Sequence, residues 1–422
     1  MPKATPSAST PTALKIDLQR ARAHWHERQG LAAPVPGSAD EVIAATGWLR
    51  TLGGADVYIA ARARIPGMKR ADLDAAVQAG RVRVSPAVRG CIYLVPAQHA
   101  ALALRVAEDQ HRKRIDRELE KAGTSVKEVT ELGEHVLATL AAKGPLTTDA
   151  LRKAAPEGAV RSLGDKGKKA GVSSTLPPTL RELEFAGKIE RTLEGGRLDT
   201  ERYLWRAAKK NPFDGAKVPP TAEARNAALA ELFFRWIGPA TVKDFAEWAG
   251  LSQRDAKLAA DAAPLAPIAV EGYAAGALVL ASDLPLLKEP KKPSPSVRLV
   301  AFEDNFLVLH GGPRFVADPK HHARALTPWG NLEGATIGDA KHITTRCIVT
   351  GDGIAGFWEL DPDTRDVVTL PFEKLPAAQS KELAALAADT AALFNDEIGH
   401  ARSFSLDTED ELRKRLKTLT AK

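Results

Sequence analysis

The 422-residue sequence predicts an α+β fold, three tandem winged-helix units followed by a small β-rich C-terminal region, on three observations. The string Gly-Pro-x-Thr occurs as Gly144-Pro145-Leu146-Thr147 and again as Gly238-Pro239-Ala240-Thr241. Each copy follows a stretch whose apolar residues recur every three or four positions, the spacing of one helix face. Beyond each copy, and once before them, a helical stretch leads into two strand-like runs joined by a turn; glycine stops the helix at Gly80 and Gly187, and the third hairpin is looser, with Ile268 and Val270, a turn at Gly272, then Leu278, Val279 and Leu280.

Taken in order, residues 1–16 are rich in Ala, Pro, Ser and Thr and read as a disordered tail, without the apolar core of a secretory signal. No apolar run approaches the ~20 residues that span a bilayer. Residues 17–106 hold an N-terminal helix and the first unit. The helix carries Leu18, Ala21 and Trp25 beside Arg20, Arg22, His24, His26 and Arg28; in the unit, a helix around Leu73 and Val77 stops at Gly80, Val82 and Val84 alternate, and Ile92, Leu94 and Val95 return. Residues 107–126 form a connecting helix, in which five acids balance five bases over 108–121. The second unit, 127–210, has Val129, Leu132, Val136, Leu137 and Leu140 on one face, then Leu180 and Leu183, and a hairpin turning at Glu194-Gly195-Gly196.

The third unit, 221–287, is the most explicit. Leu229, Leu232, Phe233 and Trp236 share a face, and Thr241 with Asp244 forms a capping box. Val242, Phe245, Trp248 and Ala249 face inward, Gly250 ends that helix, and Ser252 with Asp255 starts the next. A linker is expected at 288–296 and a β-rich region at 297–375, with strands at 297–308, 344–349, 356–360 and 366–370. C-terminal helices are expected within 376–422, at 380–395 and 409–419.

Lys and Arg total 59 against 53 Asp and Glu, a net +6 that permits an acidic partner. Two cysteines fit a reducing cytoplasm, with nucleoid association when the chain is on DNA. Arg62, Arg64, Lys69, Arg70, Arg81, Arg83 and Arg89 cluster in the first unit, where Asp72 and Asp74 are the only acids between Asp56 and Glu108. Arginines on a wing suit phosphate contact through charge and forked donors, and a solvated basic face is the alternative. Lys166, Lys168 and Lys169, among glycines of the 161–174 loop, either close on a phosphate backbone or belong to a disordered insertion.

Neither His24 with His26 nor His321 with His322 has the spacing for one metal ion, so no metal is expected. Gly351-Asp352-Gly353-Ile354-Ala355-Gly356 matches a dinucleotide string. Phe357-Trp358-Glu359-Leu360 continues it as a strand and not a helix, so it reads as a hairpin turn and no cofactor is expected.

Several segments together resemble the AlkZ-like, crosslink-repair DNA glycosylases. They are Arg64-Ile65-Pro66-Gly67, Ala71-Asp72-Leu73-Asp74, the run from Arg89 to Ala97, the run from Gly238 to Phe245 with Trp248-Ala249-Gly250, Ala301-Phe302-Glu303-Asp304-Asn305-Phe306-Leu307, and Ile354-Ala355-Gly356-Phe357-Trp358. The resemblance implies tandem winged helices, excision of bulky alkylated purines, and a Gln-apolar-Gln or Gln-apolar-Asp motif that positions the attacking water. Those positions fall at Leu49 and Thr51, or in the other register at Arg50 and Leu52. Leucine cannot hold a water, and arginine, a donor only, cannot accept its proton. Asp56 and Glu41 are the nearby carboxylates; Glu303 and Asp304 read as turn residues. The sequence therefore points first to a monomeric, noncatalytic protein that recognises duplex DNA, alkylated or crosslinked duplexes included, in repair or resistance. An active DNA glycosylase with a diverged motif is the alternative, and a transcriptional regulator the third reading.

Overall fold

The computed structural model describes residues 13–200, 202–326 and 334–421. Of the tail expected over 1–16, residues 1–12 lie outside these, while β1 (Leu14–Asp17) is ordered and pairs in parallel with β8 (Leu265–Glu271). Ile16, buried against the same core as Trp25, holds it there. Asp17 then caps α1 (Leu18–Arg28), its carboxylate accepting the Arg20 amide at 2.7 Å.

Three segments repeat one order: helix, short edge strand or single bridge, two or more helices, hairpin. In the first, α2 (Ala39–Thr46) precedes β2 (Leu49–Arg50), α3 (Asp56–Arg64), α4 (Arg70–Gln78) and the hairpin of β3 (Val82–Pro86) and β4 (Ile92–Pro96). The sheet order is β2-β4-β3. α5 (Ala97–Ala122) leaves β4 directly and is longer than the expected connector, because Ala100, Ala103, Leu104, Val106 and Ala107 give its first half a buried face.

The second segment contains α6 (Val126–Lys143), α7 (Thr148–Ala154), α8 (Gly164–Lys169), α9 (Leu176–Phe185) and the hairpin of β5 (Ile189–Leu193) and β6 (Tyr203–Ala207). Thr147 caps α7, and a single bridge from Leu146 to Trp205 stands where the other segments have an edge strand. The 161–174 stretch, expected as a flexible loop, contains α8 and is closed by a Ser162–Ser174 bridge. Gly167 lets the backbone pass Val172 where a Cβ would lie 2.2 Å from its carbonyl oxygen.

The third segment runs α10 (Ala222–Ile237), β7 (Ala240–Thr241), α11 (Val242–Ala249) and α12 (Gln253–Ala262), then the hairpin of β8 and β9 (Ala277–Leu280). Thr241 and Asp244 make the capping box, and Gly250 ends α11 at φ 71°. α13 (Leu284–Lys288) leads to a second four-stranded sheet, in order β10 (Val297–Val300), β11 (Cys347–Thr350), β12 (Gly353–Leu360) and β13 (Val367–Pro371). The strand expected over 297–308 stops at Val300. A turn follows, and Asp304 caps α14 (Asn305–Val308). Gly351 and Asp352 form the turn between β11 and β12. The C-terminal helices are α15 (Ala377–Ala392), continued by a wider turn at Leu393–Ile398, and α16 (Glu409–Thr420).

The hydrophobic cores ignore chain order. The second segment has its own, built on Leu132, Leu140, Leu180, Ile189 and Trp205. By contrast Val57, Leu73 and Leu94 of the first segment share a core with Leu299, Trp358, Phe394 and Leu412. Trp48 and Tyr93 join Phe233, Trp236 and Trp248 of the third segment in another. The first hairpin, α11 and the 301–305 turn are thereby fixed around one depression.

Candidate functional site

That depression is a cleft of about 310 Å³ lined by Arg50, Arg89, Tyr93, Lys243, Trp248, Glu303, Lys341 and His342. Each wall has a local cause. Arg50 projects from β2, whose pairing of Leu49 with Leu94 and Arg50 with Tyr93 turns Leu49 into the core. Arg89 occupies the tip of the first hairpin at φ 60°, with Gly90 following at φ 69°. Left-handed backbone at two successive positions suits a tight hairpin turn, but for arginine it carries a cost of order 1 kcal/mol. The side chain lies against Gly250, where a Cβ would sit 2.7 Å from Arg89 Cγ, and donates to the Tyr93 hydroxyl at 3.3 Å. Arg89 also borders a second cleft of about 670 Å³ between this hairpin, α5, α9 and the α11–α12 turn, lined further by His111, Arg181 and Arg191.

Glu303 lines the same cleft. It too is left-handed, at φ 55°; among the described residues only three non-glycines have positive φ, and two of them line this cleft. Strained backbone persists where neighbours over-determine it, and such sites concentrate where function needs a fixed side chain. The neighbours are clear. The Phe302 amide donates to Asp56 Oδ2 at 2.9 Å, Asp304 receives two hydrogen bonds from Arg64 at 2.8 and 2.9 Å, and the Asn305 side chain donates to the Trp48 carbonyl at 3.0 Å. Glu303 Oε2 is 3.1 Å from His342 Nδ1, while Oε1 is buried without a partner. This hydrogen bond raises the His342 imidazole above its usual range, which favours the imidazolium beside the carboxylate. A cavity of about 30 Å³, room for one water, adjoins Glu303 and is lined also by Arg50, Leu52, Asp56 and Asp304.

The residues singled out from the sequence separate accordingly. Leu49 and Thr51 are buried, Arg50 faces the cleft, and Leu52 faces the small cavity. Asp56 is not a free base: it accepts from Arg346 Nε at 2.9 Å, and Arg346 also donates to Glu359 and the Ala401 carbonyl. Burial pushes the Asp56 carboxyl up to about 6 against the pull of Arg346. Glu41 is exposed and completes the capping box of α2 with Ser38. The cluster of cations in the first segment is largely internal. Arg64 is fully buried on Asp304, Arg62 is buried with Asp389, Arg70 pairs with Asp74, and Arg83 lies between Glu190 and the Lys210 carbonyl. Lys69 and Arg81 are exposed but lie 3.4 Å from Glu397 and 3.3 Å from Asp40. Lys166, Lys168 and Lys169 are exposed on α8, which does not line either cleft. Arg89 alone of these cations lines the clefts, where Arg50, Lys243 and Lys341 join it.

Glu303 and His342 were missed as a pair because 39 residues separate them. The one available signal was the 301–307 segment, whose acids read as turn chemistry; that holds for Asp304, a helix cap, and not for Glu303. His24 and His26 sit buried on α1, and among the described residues no group of three or more metal-ligating side chains is gathered. None of the described helices is long and apolar enough to cross a membrane.

Fold and site together define a mixed α+β scaffold of helix–hairpin segments that encloses a cleft where Arg50, Arg89, Lys243 and Lys341 face the carboxylates of Asp244, Glu247 and Glu303. The family model for AlkZ-like DNA glycosylases matches residues 44–393, and the chain belongs to that family. Its fold is similar to that of Streptomyces sahachiroi DNA glycosylase AlkZ, with a TM-score of 0.67 and 19% identity over 92% of this chain and 98% of the other. A search of curated proteins gave no match.

Proposed function

We propose that this chain is a winged-helix DNA-binding protein of DNA repair or drug resistance, acting as a monomer in the cytoplasm on duplex or alkylated DNA. In this reading the three helix–hairpin segments are winged-helix units, and the first and third present DNA to the cleft between them. The observation that carries it is Arg89, held at a hairpin tip between two clefts, with Arg50, Lys243 and Lys341 around the smaller one. Lys243 and Lys341 are each 4.0 Å from Glu247, at the limit of an ion pair, so both remain able to meet a phosphate. Exposed pairs of this kind contribute about 0–1 kcal/mol and yield readily to a closer anion.

Fluorescence anisotropy on a labelled duplex over a range of salt concentrations tests this. Phosphate neutralisation releases counterions, so log K should fall linearly with log salt, with a slope of about −0.9 per contacted phosphate. Binding indifferent to salt, or no binding, would refute the reading.

A further inference from the structure

We propose that Glu303 is a catalytic carboxylate, the base that activates water for cleavage of an N-glycosidic bond in bound DNA, with His342 as the residue that positions it. The inference rests on the DNA-binding reading and supplies what the residues from Leu49 to Leu52 lack.

Four observations converge on Glu303. One carboxylate oxygen is fixed by His342 Nδ1 at 3.1 Å and the other is buried and unpartnered, so one oxygen is oriented while the other is free to accept a proton. The side chain is 9% exposed, and it borders both the cleft and the one-water cavity. Arg50 Nε, also buried and unpartnered, belongs to a residue lining the same two spaces, and it could donate to that water. The backbone is held left-handed by three flanking anchors, Phe302 on Asp56, Asp304 on Arg64 and Asn305 on the Trp48 carbonyl. A buried carboxylate oxygen without a partner is costly, and such groups call for an explanation.

The chemistry balances with a cationic purine as substrate. Glu303 takes one proton from water; the water oxygen forms a bond to C1′ of the deoxyribose. The C1′–N9 bond breaks and its electron pair passes to N9. A purine alkylated at N7 is already positively charged, so it leaves neutral and needs no proton. One carboxylate base therefore suffices, and its charge also stabilises the cation developing on the sugar.

The test is single-turnover release of base from duplexes carrying N7-methylguanine or a bulky N7-mustard guanine, with affinity for the same duplexes measured in parallel. Wild type should release the base. Glu303→Gln should slow release by at least ~100-fold, the scale of general-base catalysis, with duplex affinity no weaker than wild type, since the substitution removes a negative charge from the cleft. Should Glu303→Gln fail to fold, Glu303→Ala assayed with added sodium formate replaces it, and formate should restore part of the rate. His342→Ala should lower the single-turnover rate constant without moving the half-saturating protein concentration, and His342→Asn, whose amide N–H stands near the place of the imidazole Nδ1, should recover part of it. Wild-type binding without release of either base overturns the inference and leaves the DNA-binding reading standing. Release by Glu303→Gln at the wild-type rate overturns the role of Glu303. Absence of duplex binding overturns both readings.

Discussion

Substituting Asp56 separates structural from chemical roles most sharply. Its carboxylate accepts the Phe302 amide at 2.9 Å and Arg346 Nε at 2.9 Å, and Arg346 is itself 1% exposed. Asp56→Ala leaves the guanidinium with Glu359 and the Ala401 carbonyl, and leaves the Phe302 amide without its acceptor. Breaking a buried ion pair by removing one partner costs about 3–5 kcal/mol, because the remaining charge cannot recover its hydration. For a chain of this size that corresponds to a fall in Tm on the order of 3–6 °C. Asp56→Asn keeps the shape and one acceptor oxygen. Since burial already lifts the Asp56 carboxyl to about 6, a neutral side chain should cost roughly half as much. The assay is a thermal melt followed by circular dichroism, with duplex binding and base release measured well below the midpoint. Release from the folded fraction should persist in Asp56→Asn. A melt within a degree of wild type in Asp56→Ala, together with complete loss of release, would refute the assignment of Asp56 to the scaffold and make it the base.

Stability should fall on mild acidification. Burial lowers His26 and His310 to about 3, so below their ordinary value of 6.5 the unfolded chain binds protons that the folded chain refuses. Stability from these two is fully present above that value and is lost as pH falls towards 3; by pH 5 they remove about 4 kcal/mol, offset by roughly 1 kcal/mol from Asp56, whose shift is upward. Urea melts at pH 7 and 5 would check it, and equal midpoints would count against it. Arg89→Ala should weaken duplex binding and reduce the salt slope by about one, measured by anisotropy, whereas Lys169→Ala should leave both within error. Gly54→Ala should destabilise by about 2 kcal/mol or more: Gly54 is at φ 81°, and a Cβ would lie 2.5 Å from the Arg402 carbonyl oxygen. A melt of that variant matching wild type would contradict the close approach of residues 402–404 to Gly54.

What the sequence determined by itself is local. The Thr241–Asp244 box, the stop at Gly250, the cap at Thr147 and the apolar faces of α6, α10 and α11 depend on residues three or four apart, and these interactions survive in any context that lets the helix form. The family resemblance was legible on the same terms, as short strings in order. Which charge meets which is settled by folding. Arg62 and Arg64 look like a basic face, yet their partners Asp389 and Asp304 lie 327 and 240 residues away, and in the fold they carry structure. Asp56 and Glu303 carry the same functional group. Arg346, 290 residues from Asp56, engages one, while the anchors around the 301–305 turn leave one oxygen of the other unpartnered. A carboxylate becomes a scaffold element or a reactive group according to the donors that surround it after folding. Those donors arrive from elements brought together by the shared cores, a convergence that neither periodicity nor spacing along the chain encodes.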